Sequence, residues 1–444
     1  MSQDLPAVST RVLKVGKDHL GGFRDGEHVG SWEMTTQANP SMAVLKEAAD
    51  YLRTRDTPVG FPTETVYGLG ADATRSGSVK GIYAAKRRPQ DNPLIVHVSD
   101  LDMLRDLLRP SSSSPAPNGT TTPNGHSDVI PEIYKPLISR FWPGPLTILL
   151  PNPSPSPLAP EVTAGLPTFG ARMPSSPLAL SLIKLTGRPL AAPSANASTR
   201  PSATTASDVL EDMEGRIEMI LDGGSCQVGV ESTVVDGLCD PPVVLRPGGV
   251  SLEDIRACAG WEGVEKAYKD HSEQGKSAPR APGMKYKHYS PRARVVLYEA
   301  TYGAGQGRIS EEDVDVIRDM TGQVDSVSEK RTKTIGLVRT RHWGQGAGLK
   351  CGEFRSIAAS EAEADLDVHE ADLYDSQGSV SVGTVLDLSI GHDARSVAQG
   401  LFAALRELDR RKPDLIFVEG IPDKDDIAAA VMNRLRKAAS EIRS

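Results

Sequence analysis

The sequence predicts an α/β protein of two domains, and three observations predict it. At 444 residues the chain exceeds what one hydrophobic core ordinarily serves. From Arg292 onward, strand-like and helix-like segments alternate, the pattern of a mainly parallel α/β layer. Between the halves, residues 265–291 are polar and poor in apolar side chains, as an interdomain linker is. The part before that linker, with many strands and few helices, reads as a second α/β or α+β domain.

Residues 1–39 are mixed and aperiodic, and are expected as an extension laid on the surface or left without structure. A helix is predicted over 40–55, with Val44, Ala48 and Leu52 on one stripe. Val59 to Phe61 leads into Pro62-Thr63-Glu64-Thr65, and Gly68 and Gly70 then let the chain turn sharply. Val79, Ile82, Tyr83 and Lys86 fall at i, i+3, i+4 and i+7, a helix with Lys86 at its end and Pro89 to stop it. If residues 86–88 are extended there, Lys86 and Arg88 share one side and Arg87 faces away. Leu94, Val96 and Val98 alternate with Ile95 and His97, a strand with His97 on the opposite face.

A short helix follows at 101–109. Residues 110–128, PSSSSPAPNGTTTPNGHSD, cannot build a core and read as an insertion loop within the domain. Closing so long a loop costs little extra, because the entropy grows slowly with length. Leu146 to Leu150 is an apolar strand, followed by a Pro/Ser loop over 151–160, and Phe169 to Met173 a short apolar segment carrying Arg172. Leu178 to Leu185 reads as helix and Leu190 to Ala192 as strand, before the loop PSANASTRPS. Ile217 to Leu221, Glu231 to Asp236 and Val243 to Leu245 are strands, the last followed by Arg246-Pro247-Gly248-Gly249.

In the second half, strands are expected at 294–299, 334–339, 383–388 and 414–419. Val397, Leu401, Ala404 and Leu408 form a helical stripe, and a last helix spans about 425–440. Residues 341–382 are acidic and irregular and stay unassigned.

Composition excludes several classes of function. The chain has 50 Lys and Arg against 58 Asp and Glu, a net charge of −8, so bulk attraction to nucleic acid or an anionic membrane is not expected. No apolar run approaches the ~20 residues that span a bilayer. The start, MSQDLPAVSTRVLKVGKDH, lacks a secretory apolar region, and Asp4 makes it a poor transit peptide. Cys226, Cys239, Cys258 and Cys351 have neither zinc-site nor disulfide-framework spacing, which suits a reducing compartment. A soluble intracellular protein is the expectation.

Common nucleotide signatures are absent. Gly275-Lys276-Ser277 ends like a phosphate loop, but Asp270 stands where its first glycine belongs, and Gly303, Gly305 and Gly307 have the wrong spacing. Lys86 and Arg88, near Gly and Thr amides, suit an oligophosphate, and a solvated helix end explains them as simply. Ser194 and Asn196 could aim at one ligand or only make a turn. Arg172 and Arg246, each at the end of an apolar segment, need a carboxylate or phosphate partner, internal or bound. Ser232 and Thr233 fit a cross-strand hydrogen bond, and His97 fits a satisfied core histidine or a ligand. No single cluster carries a function, but three lie at strand ends of one domain.

Taken together, PTETVYGLG, KRRPQDNPLIVHV with its Lys-x-Arg, SAN as Ser-x-Asn, and VGVESTVVD…VLRPGG resemble the YrdC-like family. With the linker PGMKYKHYSP and the ending LFAALRELD…AVMNRLRKAAS, the chain looks like the longer, two-domain threonylcarbamoyl-AMP synthases over roughly residues 40–440. The resemblance implies a twisted α/β sheet with a large concave cavity over 40–264, and a smaller Rossmann-like domain over 292–444. The linker 265–291 would close over the site. It implies that L-threonine, bicarbonate (or carbon dioxide) and ATP give threonylcarbamoyl-adenylate and pyrophosphate. Mg²⁺ would ride on the phosphates, with no prosthetic group and no protein metal site. A tRNA threonylcarbamoyl-transfer complex would then modify adenosine 37 of tRNA.

Carried over by position, Lys86 and Arg88 are the Lys-x-Arg pair that would stabilise charge on the phosphates. Arg88, Asn92, Thr168, Ser194, Asn196, Ser202 and Arg246 would meet ATP. Lys285, Tyr286 and His288 of the linker would reach back over the mouth. Thr65, His97, Arg172, Ser232 and the backbone of Ala192 would hold threonine. No nucleophile or general base is evident. A cytoplasmic location is implied, with a mitochondrial pool and direct tRNA contact left open. Two other functions compete: a nucleic-acid-binding module, since the family's basic concavity is also read that way, and a related carbamoyl-adenylate enzyme using another amine. The sequence departs from the family pattern in the insertion 110–128, in residues 341–382 and in the charged PDKDDIAAAV.

Overall fold

Two mixed sheets organise the chain in a computed structural model that describes residues 8–24, 28–37, 39–109, 128–268, 289–302, 307–322, 333–360, 366–375, 377–424 and 427–444. The insertion 110–128 lies outside the described residues except for Asp128, and so do linker residues 269–288. The first sheet has eleven strands. Its order is Arg11–Lys14, Met219–Asp222, Val59–Phe61, Gly68–Asp72, Leu190–Ala191, Ile95–His97, Thr168–Arg172, Leu146–Pro151, Thr233–Asp236, Val243–Arg246 and Glu265–Lys266. Strands Val59–Phe61, Gly68–Asp72 and Ile95–His97 are buried along their whole length. A strand covered on both faces reads as continuous rather than alternating apolar sequence. Helices Pro40–Thr54 and Pro177–Thr186 share one core through Leu45, Leu52, Leu178 and Leu182. Helices Ser76–Lys86, Leu101–Leu108 and Ala206–Met213 supply Val79, Ile82, Leu104 and Val209 to another.

Within the stretch 1–39 expected as a surface extension, the described residues 8–24 and 28–37 are instead built into the domain. Strand Arg11–Lys14 pairs in parallel with Met219–Asp222, and Thr10 Oγ1 donates to the Ile217 carbonyl at 2.6 Å. A hairpin of Gly21–Phe23 and Trp32–Met34 follows, with Leu20 and Trp32 buried. Elements of three and four residues are too short to show a period, which is why the stretch read as aperiodic. Residues 86–88 also differ from the extended geometry expected. Helix Ser76–Lys86 closes on Arg87 in the left-handed region (φ 51°, ψ 44°). Lys86 still turns inward and Arg87 outward, but by a helix cap and not by strand alternation.

The second sheet has seven strands, ordered Arg355–Ile357, Asp367–Tyr374, Ser381–Ser389, Lys333–Arg339, Leu415–Glu419, Arg294–Tyr298 and Glu441–Arg443. Ser381–Ser389 through Glu441–Arg443 are all parallel, with helices Ala394–Arg411 and Ala428–Ala438 packed on them. The unassigned stretch 341–382 contains the two antiparallel edge strands; Asp367–Tyr374 buries only Val368, Ala371 and Leu373, so no clean alternation marks it.

Helix Ala394–Arg411 also docks the halves together. Arg406, fully buried, donates through Nη2 to Asp212 Oδ2 and to the Pro201 carbonyl, both at 2.7 Å. Arg410 Nη2 donates to Asp208 Oδ1 at 2.6 Å, and Arg200 Nη2 to Asp409 Oδ2 at 2.9 Å. Against the same helix lies Gly229 (φ 78°), where a Cβ would stand 2.5 Å from Ala398 O and Gln399 Cα. Gly229→Ala is therefore expected to cost about 2–4 kcal/mol of stability, combining left-handed strain with a backbone clash. Urea unfolding would measure it, and a loss below about 0.5 kcal/mol would contradict so close an approach.

Candidate active site

The parallel pairing of Ile95–His97 with Thr168–Arg172 sets His97 beside Arg172 at the strand ends. The turn Thr63-Glu64-Thr65 faces that end. Thr63 Oγ1 donates to the Val66 carbonyl at 2.6 Å and lies 2.9 Å from Thr65 Oγ1. Arg172 finds an internal partner here: its Nη2 donates to Glu64 Oε1 at 2.6 Å, Nη1 to Thr65 Oγ1 at 2.8 Å, and Nε to the Gly144 carbonyl at 3.2 Å. Glu64 Oε2 accepts the Ser175 amide at 3.1 Å. Across the sheet, Arg246 Nη2 donates to Ser232 O at 2.8 Å and to Ser232 Oγ at 3.1 Å, and that hydroxyl meets Thr147 Oγ1 at 2.8 Å.

These groups line one concavity of about 540 Å³, counting its open mouth. Eight of the residues singled out from the sequence line it: Thr65, Arg88, His97, Arg172, Ala192, Ser194, Ser232 and Arg246. Among the described lining residues stand Glu231 and Tyr289, which sequence reasoning missed; Tyr289 follows directly on the linker residues singled out. Glu64 was missed too, although a carboxylate inside the turn quoted for the family was a usable signal.

Five of the singled-out residues do not line the concavity. Lys86 Nζ donates to the backbone carbonyls of Ser194 and Asn196, so it braces the Ser-Ala-Asn turn from behind the cavity wall. Asn196 Nδ2 holds the Ala197 and Arg200 carbonyls at 2.9 Å each, and Ser202 Oγ donates to Glu231 Oε1 at 2.6 Å. Thr168 opens its strand opposite Pro151, four residues from Arg172 and so about 13 Å along the strand. Asn92 is buried beside the wall, its Oδ1 without a hydrogen-bond partner among the described residues. Lys285, Tyr286 and His288 lie outside the described residues.

Burial shapes the charges. It pushes Lys86 well below the usual ammonium range, with Arg88 adding to the effect. Burial lowers Arg246 to about 10. Burial alone would raise Glu231, but Arg434 and Arg246 hold its carboxyl down at about 2. His97 is lowered to about 3, by burial first and then by Arg172. Its Nδ1 faces the Ile95 carbonyl at 3.3 Å, which assigns the proton to Nδ1 and leaves Nε2 as an acceptor.

A neutral buried histidine has a consequence for acid stability. Below the unfolded-state value of about 6.5 the unfolded chain binds a proton that the folded chain refuses, so stability falls as pH drops toward 3. At pH 5 the cost is about 2 kcal/mol. His97→Gln should remove that part of the acid loss, read as a smaller difference between urea midpoints at pH 7 and pH 5; an unchanged difference would refute it.

The concavity combines guanidinium groups and hydroxyls, donors suited to phosphate and carboxylate oxygens, with a neutral imidazole that can accept through Nε2. Among the described residues no cluster of three or more His, Cys, Asp or Glu could hold a metal ion, and no helix is long and apolar enough to cross a membrane.

Comparison with known proteins agrees in the same regions. Residues 52–248 match a family model described as telomere recombination, which covers YrdC-type domains, and residues 250–440 match the threonylcarbamoyl-AMP synthase C-terminal domain. A threonylcarbamoyl-AMP synthase of Schizosaccharomyces pombe is 41% identical over 100% of this chain and 98% of its own length. That of Bacillus subtilis is 39% identical over 92% of this chain and 96% of its own. The crystal structure of Pyrococcus abyssi Sua5 complexed with L-threonine superposes with a TM-score of 0.68, at 33% identity, over 98% of this chain and 99% of that one. Fold, cavity and full-length likeness converge, and the chain belongs to the two-domain threonylcarbamoyl-AMP synthase family.

Proposed function

We propose that this protein makes L-threonylcarbamoyl-adenylate from L-threonine, bicarbonate (or carbon dioxide) and ATP, releasing pyrophosphate. The product would serve N6-threonylcarbamoyladenosine formation at position 37 of tRNA, through a transfer complex, in the cytoplasm. The observation that carries the reading is one cavity in which Arg172, Thr65, neutral His97 and Ser232 meet Arg88, Ser194 and Arg246.

In this reading Arg172 holds the threonine carboxylate with N–H groups beyond those spent on Glu64 and Thr65. His97 Nε2 accepts a hydrogen bond from the substrate, as only a neutral ring can. The neutral amine of threonine attacks carbon dioxide and gives up a proton to solvent, or attacks bicarbonate with loss of water; the carbamate oxygen then attacks the α-phosphorus while pyrophosphate leaves. Much of the acceleration comes from holding these partners in line. Arg88 and Arg246 stabilise charge developing on the phosphates, and Lys86 keeps the Ser194 turn in place behind them. Mg²⁺ enters with ATP as part of the substrate and neutralises phosphate charge there; the guanidinium-rich wall fits such a triphosphate.

Purified protein with ATP and Mg²⁺ should release pyrophosphate only when L-threonine and bicarbonate are both present. Release indifferent to threonine would sink the reading, and a scan of other amino acids would expose a different amine substrate.

A further inference from the structure

We propose that Arg434, on the last helix of the C-terminal half, is a positioning residue for nucleotide binding: it cancels the charge of Glu231 from behind, so that an anion can enter the cavity and Arg246 keeps its place on Ser232. The proposal rests on the adenylate-forming reading above and assigns the C-terminal half a part in it.

Glu231 is the one carboxylate among the described residues that line the cavity. Left uncompensated, it would repel a triphosphate or draw Arg246 onto itself, and either would weaken the nucleotide site. The structure supplies the compensation from a distant part of the chain. Arg434 is buried, and its Nε donates to Glu231 Oε2 at 3.0 Å while Nη2 stands 2.9 Å from the same oxygen. Its Nη1 donates to the carbonyl of Pro247, the neighbour of Arg246. The other Glu231 oxygen is taken by Ser202 Oγ at 2.6 Å.

Tyr289 completes the arrangement. Its ring lies 5.8 Å from the Arg434 guanidinium carbon and stacks on Phe402 at 5.2 Å. The groups facing Glu231 are thus Arg434 and Tyr289 on the C-terminal side and Arg246 and Ser202 on the other, with the Lys86 ammonium within electrostatic reach. A mere domain anchor could sit anywhere on the interface, as Arg406 and Arg410 do. Arg434 instead meets the one acid among the described residues of the cavity wall.

The test uses the full-length protein as wild type, Arg434→Gln, and the double variant Glu231→Gln/Arg434→Gln. Pyrophosphate release is followed against ATP concentration from pH 6 to 8.5, with ATP affinity by calorimetry and thermal unfolding alongside. Arg434→Gln should raise KM for ATP about tenfold or more, with a much smaller change in kcat. The defect should shrink as pH falls, because an unpaired Glu231 takes up a proton more readily. The double variant should return KM to within about threefold of wild type, since it removes the acid and its counter-charge together.

A folded Arg434→Gln with wild-type KM and pH profile overturns the proposal, and so does a double variant no better than the single. Should Arg434→Gln fail to fold, the double variant decides alone: near-normal KM supports the proposal, and a tenfold rise overturns it. A wild-type protein that makes no threonine-dependent pyrophosphate defeats the reaction itself. The calorimetric ATP affinities of the same variants then still decide the role of Arg434.

Discussion

Arg172→Ala is expected to lower kcat/KM for threonine about a thousandfold or more, equivalent to about 4 kcal/mol of lost transition-state stabilisation. Two losses combine. The proposed clamp on the substrate carboxylate disappears, and Glu64, 7% exposed, is left inside the protein without its guanidinium. Stranding one member of a buried ion pair costs about 3–5 kcal/mol of stability, so the variant should also unfold at lower urea. The two effects can be separated. Arg172→Ala/Glu64→Gln removes the stranded charge and should recover much of the stability while recovering none of the activity. Steady-state kinetics with urea melts on both variants would read this. Activity within tenfold of wild type in a folded Arg172→Ala would remove Arg172 from the threonine site.

Lys86→Met should raise KM for ATP by about ten- to a hundredfold and destabilise the fold by about 2–4 kcal/mol. The reasoning follows from where the ammonium points. Its Nζ joins the carbonyls of Ser194 and Asn196, so methionine, similar in length, fills the space but leaves one buried and one half-buried acceptor without that donor. The turn then loosens, and Ser194 loses its place in the cavity wall. A lysine that touched phosphate during the reaction would give another signature, a fall in kcat with little change in stability. That outcome would return Lys86 to the catalytic role its Lys-x-Arg motif suggests.

Much of this architecture was legible because the patterns behind it are local. The helix stripe Val397, Leu401, Ala404 and Leu408 needs only its own spacing, and all four are buried in Ala394–Arg411. Arg172 was legible as an arginine in need of a partner, because a guanidinium at the end of an apolar strand is costly alone. That the partner was Glu64, 108 residues away, was not, since nothing local marks a pair assembled by sheet order. Lys86 shows the converse. Motif and helix position suggested a phosphate ligand, yet the left-handed cap at Arg87 and the turn carbonyls across the sheet decide where its ammonium goes. Glu231 read as one more residue of a β-branched strand, because its meaning depends on a helix 203 residues further on.

The edge strand Arg11–Lys14 has a bearing on how the chain is made. Its sheet partner, Met219–Asp222, lies about two hundred residues later, with Thr10 and Ile217 separated by 207 positions. A ribosome adding 5–20 residues per second therefore holds the first strand unpaired for about 10–40 s. Closing so long a loop is slow compared with forming local helices, and an unpaired strand is open to wrong partners in the meantime. In that interval Arg11, Lys14 and Lys17 keep the segment charged, which disfavours pairing with other chains.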